Sequence, residues 1–452
     1  MARDSMTRTR RQWKALWCCT AALFLSGCSA LSGSYREVEE SIARGDHLAA
    51  IEGVRKNADL YGEKSAVLYH LDLGITFHYA GETDSSITHL LAAERIMDEL
   101  FTKSVSLEVA SLLLNDNVLP YEGEDFEKAL VNVFLALDFA RAGEDDEALV
   151  EARKADLKLR ELSRKYDDKN RYREDAFIRY IAGVLYENGG EPNEAFISYK
   201  KAYETYRVYE QVYSTPVPSF LLDDLVRSAT LTGFHDEANT YIAAGGKPFQ
   251  RVGEEGGSLL LIAYAGKGPI KREVKSKVSI MDAEGTLHTF QLALPQFVPR
   301  NRERRVYTLH ARGAASHDRS VSTRTEVAED VTAIAAKSLE DRLDLIYLKS
   351  GGRAILKFLA AEKAKSELKK SKDGSTNFWG SILVDLALGA TEQADLRTWR
   401  TLPAQFQLAR LNLEPGEYDI SVASQDGQYK LNDARVLIGR GRTTILMIDD
   451  LR

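Results

Sequence analysis

Four glycines set a register that leaves the first half of this 452-residue chain few ways to fold. Aligned on Gly81, Gly143, Gly190 and Gly233, the sequence carries Ser86, Ala148, Ala195 and Ala238 five residues later. Twelve residues later stand Ala93, Ala155, Ala202 and Gly245. Four residues before the glycines stand Phe77, Phe139, Tyr186 and Ala229, and seven before stand Gly74, Ala136, Gly183 and Val226. From about Ser34 to Ala244 the apolar residues recur with a helical period. Small residues at fixed offsets on both sides of a glycine let two helices close on each other, and the glycine supplies the turn between them at little conformational cost.

This register resembles the tetratricopeptide repeat, in which helical hairpins stack into a solenoid. Gly45, followed by Ala50 and Val54, fits a partial first copy. The glycine spacings of 62, 47 and 43 residues exceed the family's 34, so longer or additional helices and an irregular superhelix are expected. The resemblance implies an α-solenoid whose concave face receives a peptide or protein.

The second half changes character. A Gly-, Pro- and charge-rich stretch at 247–257 reads as a linker. Ser258–Ala265 reads as a buried strand, followed by a turn at Gly266-Lys267-Gly268-Pro269 and further strands at Val278–Met281, Thr286–Ala293 and Val306–Ala311. Val327–Ser366 reads as mainly helical with an interruption near Gly351-Gly352, and Lys363–Lys372 as a solvated helix end. Phe378–Leu388 is an apolar helical stretch too short to span a membrane. Strands return at Phe406–Leu413, Tyr418–Ala423, Ala434–Ile438 and Thr443–Ile448. The predicted organisation is a helical repeat domain over 34–246 and an α+β domain over 258–452, a short antiparallel sheet or sandwich with helices on one side.

The N-terminus places the chain in a cell. Arg8, Arg10, Arg11 and Lys14 precede about eleven mostly apolar residues, the layout of a secretory signal over 1–27, with Met1 or Met6 as its start. The stretch ends Leu25-Ser26-Gly27-Cys28, which resembles the lipobox of bacterial lipoproteins. That resemblance implies cleavage before Cys28, acylation of its thiol, a tether over 28–33, and a periplasmic location. Several acyl chains on one residue make a stable anchor. With Ser29 and Ala30 next and no Asp at the second mature position, enterobacterial sorting implies the outer membrane. Cys18 and Cys19 fall inside the leader, which leaves Cys28 as the one mature cysteine and excludes disulfides and cysteine metal sites. The chain's −7 less the leader's +4 leaves −11 for the body, which disfavours nucleic-acid binding.

Two clusters are candidate binding surfaces. Tyr199, Tyr203, Tyr206, Tyr209 and Tyr213 fall on one helical stripe. They either pack on the next helix or line a groove that grips an extended peptide or a sugar. Near the C-terminus, Glu392, Asp395, Arg397, Trp399 and Arg400 either pin a loop and plug the sheet, or form a pocket in which Trp399 is a platform and an arginine holds a carboxylate. Here the string from Glu392 to Ala404, with Ala409-Arg410 and Leu413-Glu414-Pro415-Gly416, resembles the C-terminal signature of an uncharacterised family of bacterial repeat-containing lipoproteins. Gly268-Pro269-Ile270-Lys271 and Leu294-Pro295-Gln296-Phe297 are similar to that family too. Some members look like neighbours of penicillin-binding-protein activator lipoproteins, which implies cell-wall synthesis machinery among the partners.

His70, His78 and His89 lack the four-residue spacing that would bring two onto one helix face as metal ligands. No HExxH, GxSxG or nucleotide-loop pattern occurs. The expected function is a membrane-anchored scaffold joining unidentified envelope proteins, without catalysis, metal or cofactor. The alternative is a peptidoglycan- or glycan-binding lipoprotein, with cleavage by paired carboxylates as its enzymatic variant.

Overall fold

The computed structural model describes residues 35–106, 119–165, 171–249, 256–281, 287–300, 305–314, 320–353, 355 and 393–452. The leader, Cys28, the tether, Lys363–Lys372, Phe378–Leu388 and Glu392 lie outside the described residues.

Among the described residues five helical hairpins follow one another. They are α1 (35–43) with α2 (His47–Lys56), α3 (Ala66–Ala80) with α4 (Thr83–Ser106), α5 (Asp125–Ala142) with α6 (Asp145–Lys165), α7 (Ala176–Asn188) with α8 (Pro192–Tyr213), and α9 (Ser219–Leu231) with α10 (His235–Ala243). Gly45, Gly81, Gly143, Gly190 and Gly233 sit at the five turns with φ between +73° and +83°. At Gly81 the turn closes as the register predicts: its N–H donates to His78 O, and the N–H of Glu82 donates to Phe77 O. This pair of bonds satisfies carbonyls that a helix end leaves free, and it requires a left-handed residue. The small residues are where close approach demands them. A Cβ on Gly183 would lie 2.5 Å from the Tyr199 ring, and one on Gly74 would lie 2.7 Å from Leu90. The 24-residue length of α4 accounts for part of the long first glycine interval.

The described residues of the second half form ten strands in three sheets. The central sheet has the order β10 (Thr443–Asp450), β1 (Gly257–Lys267), β7 (Pro403–Leu413), β6 (Glu326–Asp330). In it β1 runs parallel to β10 and antiparallel to β7. A second, antiparallel sheet has the order β5 (Ser320–Arg324), β4 (Tyr307–Gly313), β8 (Gly416–Ser424), β9 (Lys430–Ile438). A separate ribbon joins β2 (Ile270–Met281) to β3 (Leu287–Val298). After β6 come α11 (Val331–Glu340) and helical residues 343–353.

Four sequence expectations change. The central sheet is mixed where an antiparallel one was expected, because β1 lies alongside β10 in the same direction. Gly266 and Lys267 belong to β1, leaving Gly268-Pro269 as the turn. Val327–Asp330 is strand, and helix begins at Val331. Gly351 and Gly352 lie within helix.

The largest difference concerns how the halves meet. Strand β1 is buried on both faces, as its unbroken apolar run implies. Leu259, Leu261 and Ala263 pack with Leu309, Ile420 and Val422 of the second sheet. Leu260, Ile262 and Tyr264 turn the other way, into a core shared with Leu71, Phe134, Phe177 and Leu225 of the inner helices. The layers are therefore repeat helices, central sheet, second sheet. The helices expected on one side of the sheet are chiefly the repeats' own α3, α5, α7 and α9. The concave face that the sequence reading left open to a partner is filled by the chain's own sheet.

Candidate functional site: a polar seam between repeats and sheet

Apolar packing alone would let a sheet slide across a helical array. Here polar groups on successive hairpins fix its position. On α1, Glu39 pairs with Arg300 at 2.8 Å and Arg400 at 3.0 Å. On α3, Asp72 accepts from the hydroxyls of Thr401 at 2.6 Å and Tyr61 at 2.9 Å. Burial raises the Asp72 pKa, the hydroxyl donors offset part of this, and the net value is about 6. At the start of α5, Glu127 accepts from Thr398 Oγ1 and from the Trp399 N–H, each at 2.7 Å. Glu124, beside it, is paired with Lys271 of β2 and with Arg342. Burial pushes the Glu124 pKa up, but the two cations prevail and hold it at about 2.

The centre of the seam is an aromatic cluster. Phe134 of α5 contacts Tyr264, Trp399 and Phe406 at ring separations of 5.6–5.8 Å, and Phe177 of α7 stands 4.8 Å from Phe406. At its edge His78 Nδ1 lies 2.7 Å from Asp138, and His78 Nε2 lies 2.7 Å from the Tyr264 hydroxyl. Burial lowers the His78 pKa and Asp138 opposes the shift. Ser86 Oγ is 2.6 Å from the other Asp138 oxygen. These are the residue types of a hydrolytic triad in the wrong order. A nucleophilic serine needs the histidine between it and the carboxylate. Here the carboxylate lies between them, and Ser86, His78 and Asp138 are all fully buried.

At the far end, Arg410 of β7 points into the helices. Its guanidinium pairs with Asp224 of α9 and Glu187 of α7, both at 2.9 Å, and donates to Ser258 and Thr443 at 3.0 and 2.9 Å. Tyr180 and Tyr199 hydroxyls lie 3.3 Å from it. Asn188 extends the grip, donating to Thr443 O and accepting from the Thr443 N–H.

The two sequence-derived binding clusters resolve toward packing. Tyr199, Tyr206, Tyr209 and Tyr213 are buried, and Tyr203 is half-buried against Tyr241 at 5.7 Å. The five phenols do share one stripe, but it faces protein. In the C-terminal cluster Arg397 and Asp395 form a forked pair with N–O distances of 2.7–3.2 Å. Arg397 also donates to the carbonyls of Lys64 and Leu119. Arg400 lies over the Tyr35 ring, and Trp399 is 1% exposed. This segment is the clasp that holds the sheet to the first three hairpins. The rings of Trp399, Tyr199, Tyr206, Tyr209 and Tyr213 are covered by the chain itself.

Among the histidines, His70 and His89 meet at 3.0 Å and are half-buried, while His78 faces the sheet. No group of three or more potential metal ligands occurs among the described residues. No helix among them is long and apolar enough to cross a membrane.

The sequence reading passed over the residues that define the seam: Asp72, Glu127, Asp138, Glu187, Asp224 and, as a site residue, Arg410. A signal was present. Arg410 interrupts the apolar strand FQLARLNL, Asp138 interrupts VFLALDFA, and Asp72 interrupts LYHLDLGITF. A charge within a buried run must find a partner, because its desolvation is otherwise prohibitive.

No protein-family model matches the sequence, and comparison with curated proteins finds no match. Among solved structures, the MamA protein is similar at 17% identity and a TM-score of 0.29, with 47% of this chain and 87% of that one covered. The nearly identical TPR-like repeats of a Podosopora anserina kinesin light chain give 13% identity and a TM-score of 0.32, covering 48% and 92%. The apo form of RapI gives 15% identity and a TM-score of 0.34, covering 46% of this chain and 50% of that one.

Proposed function

We propose that this chain is a scaffold lipoprotein of the cell envelope, anchored through a lipid on Cys28, facing the periplasm from the outer membrane, and presenting its outer surfaces to other envelope proteins. One observation carries the scaffold reading: the inner face of the helical array is occupied in cis by the central sheet, through a seam with partners on successive hairpins. Such a body is a rigid platform, and what it offers a partner is its outer face. The outer helices carry exposed apolar residues on successive hairpins: Leu48 on α2, Leu91 on α4, Val150 and Leu157 on α6, Ile197 and Val208 on α8. Scattered apolar residues of this kind become contact anchors when a partner covers them.

The test is site-specific photocrosslinking in intact cells of the source bacterium, with the probe placed at Leu157 or Val208 and, for contrast, at Tyr206 inside the seam. Discrete crosslinked protein partners from the outer positions and none from Tyr206 are expected. Partners captured from Tyr206 alone would overturn the outer-face reading. The anchor is tested separately. Cys28→Ser should abolish labelling by a clickable fatty acid and release the body from membranes, and retention with undiminished label would remove the lipoprotein reading.

A further inference from the structure

Most buried charges in the seam meet an opposite charge or a set of donors. One pair does not. Asp175 caps α7, its Oδ1 accepting from the Ile178 N–H at 2.8 Å and its Oδ2 from the Tyr172 hydroxyl at 2.8 Å. Facing it from the sheet is Glu329 of β6. The two carboxyls are within hydrogen-bonding reach of each other, and they are 0% and 1% exposed. Glu329 Oε2 is buried with no hydrogen-bond partner.

Glu329 points inward because of a local irregularity. The β6–β7 register runs Glu326 with Leu408 and Val327 with Gln407, then skips Ala328 and resumes with Glu329 opposite Phe406. Directly paired residues share a face. The extra residue therefore places Glu329 on the helix side together with Glu326 and Phe406, where simple alternation would have turned it away. Bulges re-aim side chains in this manner.

Among the described residues neither carboxyl forms an ion pair with Lys, Arg or His. Arg179, one turn beyond Asp175 on α7, is taken by Asp156 at 2.5 Å and Glu174 at 3.8 Å. The elements around the pair contribute Tyr206, Tyr209 and Tyr213 from α8, Tyr172 from the segment before α7, Glu174 at its entry, and Glu326 and Asp330 from β6 itself. From β7 come Phe406 and the neutral Gln405, which donates to Asp330. Arg171 reaches the rim but is engaged by Glu340 and Asp341 of the α11 end, where Lys337 also binds Glu340. Glu326 is held by Ser219, and Glu174 by Thr205.

Two carboxylates that touch in a site without counter-charge cannot both ionise, as aspartic-protease dyads illustrate. We propose that Asp175 and Glu329 hold one proton between them, and that this shared proton is a pH-sensitive latch fastening β6 to the fourth hairpin. The latch is closed while the proton is bound. Its loss leaves two buried negative charges side by side and loosens β6 from α7. Burial raises the pKa of each group, and for Glu329 the neighbouring Asp175 raises it further. A raised carboxyl pKa stabilises the fold fully below the ordinary value, and the contribution declines as pH climbs from about 4 toward the raised value.

The experiment compares full-length chain with Glu329→Gln and Asp175→Asn by thermal unfolding at pH 5 and pH 8. Other buried carboxyls tilt the wild-type curve in the same sense, so the difference between proteins is the readout. Glu329→Gln keeps the neutral shape without a titrating group. Its unfolding midpoint should exceed the wild type's by about 2–4 °C at pH 8, with little or no gain at pH 5. The infrared carbonyl band of a protonated carboxylic acid should weaken in the wild type between pH 5 and pH 8 as the pair titrates, and at pH 5 it should be diminished in Glu329→Gln. A midpoint difference that does not change with pH, or an unchanged acid band, would overturn the latch. If neither variant folds, hydrogen exchange on the wild type decides. Raising the pH should accelerate β6 and the start of α7 beyond the chemical increase seen in β1, and equal acceleration in all three would refute the proposal.

Discussion

The inner and outer helices of the same hairpins have opposite characters. On inner helix α5 every residue from Asp125 through Asp138 is buried. On outer helix α6, Val150 is 46% and Leu157 52% exposed while Leu159 is 0% exposed, so the helix has one wet side. A solenoid with an open groove would give its inner helices a wet side too. A helix that is apolar nearly all round has neighbours all round. The difference shows that the groove is part of the core, which repeats and sheet share.

This contrast predicts how substitutions should rank. The largest loss is expected inside the seam, at Arg410. Replacing it with Ala removes one of the two guanidiniums that hold Asp224 and Glu187, leaving Arg227 as the other, and breaking a buried ionic cluster in this way costs about 3–5 kcal/mol. Urea unfolding of Arg410→Ala reads the loss directly. A cost below about 1 kcal/mol would mean that the seam is solvated and the inner face less closed than its burial implies.

Two buried carboxyls of the seam should respond oppositely to pH. Glu124 has its pKa held at about 2, so its contribution is present above the ordinary glutamate value and is lost as pH falls toward 2. Asp72, raised to about 6, contributes in full below the ordinary aspartate value, and its contribution is lost as pH rises toward 6. Each is worth on the order of 3 kcal/mol at most. Stability profiles of Glu124→Gln and Asp72→Asn should therefore flatten on opposite sides of pH 4–5. Flattening on the same side would show that one assignment is wrong.

Gly183→Ala tests the packing within a hairpin. Alanine gains about 1 kcal/mol in helix propensity, but its Cβ meets the Tyr199 ring, which is fixed by Glu187 and Arg410. A net loss of about 1–3 kcal/mol is expected by calorimetry. On the outer face, Leu157→Ser should change stability by no more than about 0.5 kcal/mol. If Leu157 is a partner anchor, the same variant should reduce in-cell crosslinking from Val208.

Much of this architecture was legible residue by residue. The five turn glycines, the small residues at the contacts within hairpins, the buried strand Ser258–Ala265 and the strands from Phe406 onward all rest on local chemistry, and each has its counterpart in the structure. The tyrosine stripe was correctly placed on one face of one helix. The ambiguity lay in what that face touches, because an aromatic stripe looks the same whether it meets protein or ligand. The segment from Asp395 to Arg400 posed the same problem. Its loop-pinning pair is local, Arg397 to Asp395, but the groups it clasps on Tyr35, Lys64 and Glu127 lie hundreds of residues away.

By itself, the sequence determined the hairpins and the strands, since helical period, turn chemistry and apolar runs act between near neighbours. Only the tertiary structure decided that the hairpins' inner face belongs to the sheet. Contacts such as His78 with Tyr264, 186 residues apart, depend on which surfaces meet, and no local propensity encodes that choice. The charges inside apolar runs required partners, and the fold supplied them from distant segments: Arg410 from the repeats, Asp72 in part from Thr401, and Asp138 from His78 and Ser86 of another hairpin.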